Sequence, residues 1–395
     1  MITDPTAVFC VLASCVALAI MLELHTKVFR ALGSALVGIL LGMVLSNTGV
    51  IPGESPAYDF LGGPAVSAGI ILILLTVDVR SVVQAGPTML AAFGIGAVGS
   101  ALGASISAWL LADAIGPETW KLAGQYTATY TGGGVNFAAV GKELETSGDL
   151  FAAGIAADVM MTAIWMAACL TVPILFAARG RGGSTDEETS PEPAAVTEQA
   201  GASADADEAP PALHEMLYSS VGAVRLQDLG LMAAVVLGTL WASDWLSTVL
   251  DPMPGVLFLT TIALVLAQIP AIRGIQGTGV IGNYLVLIFL ASNGAMSVIA
   301  NIVAIGPPIV YFALITVSIH GVVIFGFGRL VGLDLKTLAV ASQAAVGGPA
   351  SAMALATARG YTDRLLPGVA VGLLGYAAGN YLGLAVAAVL HGMIG

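Results

Sequence analysis

"TATYTGGGVNFAAVGKEL", residues 127–144, places three consecutive glycines, Gly132 to Gly134, between a hydroxyl-rich flank and an apolar one. Glycine gives up more backbone freedom on folding than any other residue, so such a run interrupts a helix. The sequence on either side reads as membrane. In hydrocarbon an unpaired backbone N–H or C=O costs several kcal/mol, and irregular backbone survives only where protein or a watery cavity satisfies it. A break at this depth therefore implies a built environment around it.

The membrane reading rests on composition. Hydrophobic residues make up 57% of the chain and charged residues 10%, against about 25% charged in soluble domains. Mean hydropathy is +0.93. Apolar runs such as 66–77, 91–111, 229–241 and 311–327 recur along the chain. Runs approaching 20 residues match a bilayer core of roughly 30 Å. The first run begins near Pro5 with no basic residue before it and reads as a retained span. Cys10, Cys15 and Cys169 all lie in apolar runs, which argues against a disulfide framework or a zinc site and makes them packing residues. No HExxH, GxSxG, paired catalytic carboxylates or nucleotide-binding loop is present, so neither an enzyme nor an ATP-driven pump is expected. Nothing points to nucleic acid.

The net charge of −12 is concentrated outside the apolar runs. Residues 184–208 hold eight acids: Asp186, Glu187, Glu188, Glu192, Glu198, Asp205, Asp207 and Glu208. With abundant Ala, Pro, Ser and Thr, the stretch 179–225 reads as an acidic disordered linker. It divides the chain into halves, 1–178 and 226–395. Without a gap, "GGVNFAAVGKELETSGDLFAAGIAA" from Gly133 aligns with "GGPASAMALATARGYTDRLLPGVAV" from Gly347, matching Gly133 with Gly347, Asp149 with Asp363 and Gly154 with Gly368. "ILILLTVDVRSVV" from Ile71 echoes "LVLIFLASNGAMSVI" from Leu285.

Each half carries five apolar runs, about 6–24, 31–48, 61–79, 87–112 and 149–178, then about 226–246, 254–271, 280–300, 308–330 and 364–391. Between the fourth and fifth runs lies a glycine-rich stretch, about 118–146 and 334–361. The positive-inside rule decides whether these stretches cross. If both are re-entrant hairpins, Lys27, Arg30, Arg80, Arg179, Arg181, Arg225, Arg273, Arg329, Lys336, Arg359 and Arg364 share one side and only Lys121 and Lys142 fall on the other, 11 against 2. If both cross, the division is 6 against 7. The hairpin arrangement is therefore expected. It gives an all-α polytopic protein of ten spans in two inverted repeats, with cytoplasmic linker and both termini outside. The glycine tips meet near the midplane, as in secondary transporters.

The half-helix after Gly134 presents free N–H groups and a positive dipole end, suited to a carboxylate. The carbonyls of the preceding half-helix suit Na⁺. The second tip, "SQAAVGGPASAMA", offers the same elements beside Ser342, Gln343 and Ser351, with Pro349 where a helix starts without needing an N–H. Asp158 lies deep in the fifth run, and an intramembrane carboxylate is a functional candidate by default. It is open to three readings: an Na⁺ ligand, a proton carrier or a helix partner. Gln343 and Asn380 join it as ion-coupling candidates, and Tyr376 lies at similar depth to Asn380. His320 reads as a satisfied core histidine, Asn293 as the end of a span or a break, Asp149 and Asp363 as helix N-caps, and Asp78 and Arg80 as solvated or paired at a boundary.

Over its whole length, and above all in "YTGGGVNFAAV" and "QAAVGGPASAMALA", the chain resembles the membrane family labelled domain of unknown function 819. That family is similar to inverted-repeat carriers that include the sodium/glutamate and 2-hydroxycarboxylate symporters. The resemblance implies an elevator-type core, a dimer-forming scaffold and a place in the inner cell membrane. It implies that Thr131, Gly132, Gly133, Gly134 and Asn136, with Gly347, Gly348 and Ser351, hold substrate and Na⁺. The expected function is sodium-coupled symport of a small organic anion or amino acid. The alternatives are a proton-coupled carrier or exporter on the same fold and a non-transporting scaffold or regulator. No cofactor beyond Na⁺ or H⁺ is expected.

Overall fold

A computed structural model describes residues 1–78, 80, 83, 85–180, 223–250 and 253–394. The acidic stretch 184–208 lies outside the described residues. The structure is all-helical among those residues. The helices are α1 (Pro5–His25), α2 (Lys27–Asn47), α3 (Pro56–Leu74), α4 (Pro87–Ile115), α5 (Thr119–Gly132), α6 (Gly134–Glu143), α7 (Gly148–Gly180), α8 (Leu226–Val249), α9 (Gly255–Ala267), α10 (Thr278–Met296), α11 (Ile299–Gly321, running on to Leu330), α12 (Leu335–Ala358) and α13 (Thr362–Ile394).

Nine helices among the described residues are long and apolar enough to cross a membrane: eight of the ten expected spans, and α12, which is interrupted at Gly348. Their outward faces are apolar: Trp109 and Trp241 are both more than two-thirds exposed, as suits a surface against lipid tails. The expected spans at 31–48 and 254–271 come out shorter. Gly33, at φ +74°, breaks α2 and leaves Gly33–Asn47 as its apolar part, and α9 covers only Gly255–Ala267. In α3, Pro64 lacks an N–H to donate, and the helix widens into a π-turn over Leu61–Ala65.

Both glycine-rich stretches reverse direction. Between α5 and α6 only Gly133 is non-helical, at φ +92°. The two arms lie side by side. Gln125 Nε2 donates to the Phe137 carbonyl at 3.4 Å, Thr146 Oγ1 donates to Gln125 Oε1 at 3.1 Å, and Lys121 Nζ donates to the Glu145 carbonyl at 2.9 Å. At the open end, burial pushes the Glu118 carboxyl up, but bonds from Lys121 and Ser147 outweigh it and hold it below the ordinary carboxylate range. In α12 the break is Gly348, at φ +77°, and the ends again return to one place. Arg364 reaches back to Asp334 at 3.6 Å and Lys336 lies 5.5 Å over the Tyr361 ring. Asp334 caps the first arm by accepting from the Thr337 N–H.

The two breaks stand one residue out of the ungapped alignment, which matched Gly133 with Gly347. Pro349 is the reason. A residue before proline is pushed away from the α region, and proline opens a helix well, so the reversal falls on Gly348. The N-cap expectation for the two aspartates is also corrected. Asp149 and Asp363 sit in the first turn of α7 and α13 rather than before it. Asp149 Oδ1 accepts the Val298 N–H at 2.6 Å, linking α7 to the start of α11, and Asp363 pairs with Arg364 at 2.9 Å. Asp78 is paired with Arg273 at 2.7 Å, and Asn293 lies inside the last turns of α10.

The helices fall into two packed groups. In one, α13 packs on α5 and α12, α4 on α11 and α5, and α7 on α11 and α12. In the other, α1 packs on α2, α2 on α10, α10 on α3, and α8 on α9. Hydrogen bonds across the seam between them join Lys142 to Ser67, Asn380 to Thr260 and Thr261 to Tyr381. The α5–α13 contact runs backbone to backbone along Gly124, Gly132, Gly375, Gly379 and Gly383, the small-residue packing expected where lipid supplies no hydrophobic drive between helices.

Candidate solute and ion site

The two breaks meet. A Cβ built on Gly133 would stand 3.6 Å from the Gly348 Cα, and one on Gly348 would stand 3.6 Å from the Gly132 carbonyl oxygen and from the Tyr376 hydroxyl. The junction thus brings together the ends of α5 and α6, both arms of α12, and one face of α13. The Gly133 N–H is kept inside its own helix by the Thr129 carbonyl at 2.6 Å, and the Asn136 N–H by the Gly133 carbonyl at 3.0 Å.

Asn136 is held by α13. Its Nδ2 donates to the Tyr376 carbonyl and to Asn380 Oδ1, both at 2.9 Å, while Asn380 Nδ2 donates to Thr260 Oγ1 at 3.1 Å. Both N–H bonds of Asn136 are spent, so the orientation of the amide is fixed by the chain Thr260–Asn380–Asn136. Asn136 Oδ1 is left buried without a partner. Asn380 thus bonds directly to Asn136 and links it to α9. Gln343 is fully buried, and neither atom of its amide finds a partner. Such orphans are rare in folded proteins and mark places where a ligand, an ion or water completes the bonding. Ser351 is partly buried beside Gly347. The Thr131 hydroxyl donates to its own helix, to the Thr127 carbonyl at 2.7 Å.

Asp158 stands at the back of the first tip. Thr129 Oγ1 donates to its Oδ2 at 3.3 Å, and its Oδ1 is buried without a partner. The same Thr129 caps the Gly133 N–H through its carbonyl, so one residue touches both the carboxylate and the break. The Tyr130 hydroxyl and the Thr127 hydroxyl are likewise buried and unpartnered on α5.

His320 has a full set of partners. Its Nδ1 lies 2.9 Å from both the Gly96 carbonyl and Ser100 Oγ, and its Nε2 lies 2.9 Å from Ser342 Oγ. Ser100 Oγ donates to the Tyr130 carbonyl at 2.6 Å and Trp165 Nε1 donates to Ser342 Oγ at 2.9 Å. A neutral ring with its proton on Nδ1 satisfies every member: Nδ1 donates to Gly96, and Ser342 donates to Nε2. The core-histidine reading fits this geometry, and the ring ties the first hairpin, through Tyr130, to the second, through Ser342. Sequence reasoning did not single out Ser100, Trp165, Thr260 or Thr129. Only Thr129 carried a signal, its place in the hydroxyl-rich run before the glycines.

Residues 7–393 match the family described as "Protein of unknown function (DUF819)". The chain is 29% identical over 369 residues to "Uncharacterized membrane protein YjcL" of Bacillus subtilis (strain 168), an alignment that covers 93% of this chain and 92% of that protein. With a family match across nearly its whole length and a helical structure rich in candidate spans, the chain is a multi-pass membrane protein that belongs to the DUF819 family.

Proposed function

We propose that this protein is a secondary active transporter that holds a small polar solute between its two glycine tips. The observation that carries this reading is the meeting of Gly133 and Gly348 beside the buried, unpartnered Oδ1 of Asn136 and the wholly unpartnered amide of Gln343. Irregular backbone inside a membrane protein is tolerated where it lines a site. Helix starts at Gly134 and Pro349 turn positive dipole ends toward the junction, and the carbonyl ends of the opposing arms turn negative ones. A solute such as an organic anion or an amino acid gains from both, and Asn136, Gln343 and Ser351 read its polar groups.

Asp158 is the coupling residue in this account. Its unpartnered Oδ1 takes Na⁺, and Thr129 carries the effect of occupancy to the break at Gly133. A proton in place of Na⁺ is the second reading, favoured by the single hydrogen bond, from Thr129, that the carboxylate receives. The hairpin-bearing group of helices moves as an elevator against the outer group, which forms a homodimer. The halves are inverted repeats, with both termini outside and the linker in the cytoplasm.

Topology supplies the test. In a variant lacking Cys10, Cys15 and Cys169, a cysteine at Glu54 is expected to react with impermeant thiol reagents only from outside, and one at Arg273 only from the cytoplasm. Labelling of both from one face rules out the inverted arrangement and with it the meeting of two re-entrant tips.

A further inference from the structure

A cavity of about 180 Å³ opens at the seam between the two helix groups, away from the tips. Its walls come from α3, α8, α9 and the far end of α6. Lys142 lies eight residues along α6 from Gly134, about 12 Å at the rise of an α-helix, so the cavity and the tip junction are separate places. Three charged side chains line it: Lys142, Glu143 and Asp244.

Their pairing is unusual. Lys142 Nζ donates to Ser67 Oγ at 2.6 Å, and Ser67 Oγ in turn donates to the Gly63 carbonyl at 3.0 Å. An ammonium group has three donors, so two remain. Neither carboxylate lies within the 4.0 Å that would make an ion pair with Lys142; the ion pairs among the described residues join Lys121 to Glu118, Arg273 to Asp78, and Arg364 to Asp334 and Asp363. Glu143 Oε2 accepts from the Val256 N–H at 3.3 Å, and Asp244 stands exposed at the edge of the cavity. Positive and negative charges thus face one small space without a direct ion pair between them. The small donors are spent as well: Ser243 Oγ donates to the Gly255 carbonyl and Ser247 Oγ to the Asp244 carbonyl.

We propose that this cavity binds a small zwitterion, with its carboxylate on Lys142 and its ammonium group between Glu143 and Asp244. A simple anion placed there meets two carboxylates, and a simple cation meets the lysine. A molecule bearing both charges gives each wall an opposite partner, which offsets the cost of taking charges out of water. The space holds about six waters at roughly 30 Å³ each, which fits an amino acid of a few carbons. The site is distinct from the tip junction and does not depend on transport. Its occupant touches α6 on one side of the seam and α3, α8 and α9 on the other, so it would brace the two groups against each other.

The test uses the full chain in nanodiscs, with glycine, β-alanine, acetate and ethylamine as probes of thermal unfolding and of binding by calorimetry. Glycine or β-alanine is expected to bind and raise the midpoint, with acetate and ethylamine at least tenfold weaker. Lys142→Gln and Asp244→Asn are each expected to weaken the zwitterion tenfold or more. Asn136→Ala, at the tips, is expected to leave this binding in place even if it abolishes uptake. Asp244 is exposed, so its variant folds whatever happens at Lys142. The proposal is overturned if neither amino acid binds at concentrations up to about 10 mM, a range that catches even millimolar affinity. It is also overturned if acetate or ethylamine binds as well as the zwitterions, or if Asn136→Ala removes binding while Asp244→Asn leaves it unchanged.

Discussion

Gly132→Ala is expected to destabilise the protein by about 2–4 kcal/mol, whereas Gly134→Ala, two residues on, is expected to stay within about 1 kcal/mol of the parent. The three glycines of the opening stretch look alike in sequence and differ in physics. A Cβ on Gly132 would run into the carbonyl of Gly375 on α13, and neither backbone gives way cheaply. Gly133 has ordinary space around it, but its φ of +92° with ψ of 177° lies in a region that essentially only glycine adopts, worth about 1–3 kcal/mol for alanine. Gly134 meets nothing within 4 Å and begins a helix, where alanine is the better former. Thermal unfolding of the three variants in detergent gives the order directly. If Gly132→Ala and Gly134→Ala unfold together, the close approach of α5 to α13 is wrong.

Asp158→Asn is expected to abolish the dependence of the protein on its coupling ion while leaving it folded. Asparagine keeps the shape and still accepts from Thr129, so the helix contact survives. What is lost is the charge that a cation neutralises. An ion held at 100 times its dissociation constant stabilises the native state by about 2.7 kcal/mol, and that increment is expected to fall to near zero in the variant. Unfolding midpoints in sodium against choline chloride, at several pH values, separate the two ions. A shift with sodium at fixed pH in the parent alone identifies Na⁺, and a shift with pH alone identifies H⁺. If both dependences persist unchanged in Asp158→Asn, the carboxylate is a helix-packing partner and coupling lies elsewhere.

Much of this architecture was legible because bilayers impose a coarse grammar. Apolar runs of span length stand out in any order, and the split of 11 basic residues against 2 favoured stretches that reverse over stretches that cross. Gly133 announced itself for the same reason, since three glycines in hydrocarbon need an explanation. The finer features were hidden because they depend on register between distant helices. The second break was misplaced for a local reason instead: the ungapped alignment pairs Gly133 with Gly347, although the residue before Pro349 is the one pushed out of the α region. Asp149 carried the signature of an N-cap, yet a backbone N–H on another element, that of Val298, claimed its carboxylate. Ser100 and Trp165 were ordinary residues in apolar runs, and only folding shows that both serve one histidine, directly or through Ser342. Asn380 was read as an ion-coupling residue, and only the fold shows that its amide also links Thr260 to Asn136.

The central claim, that the junction of the two tips receives a solute, is tested most directly by a thermal-shift screen of small metabolites against the parent and Asn136→Ala, with and without Na⁺. Solutes acting at the Lys142 cavity are set apart by their loss in Asp244→Asn. At least one solute is expected whose stabilisation of the parent requires the ion, persists in Asp244→Asn and disappears in Asn136→Ala. A screen in which every stabilising solute acts equally on the parent and on Asn136→Ala would contradict it.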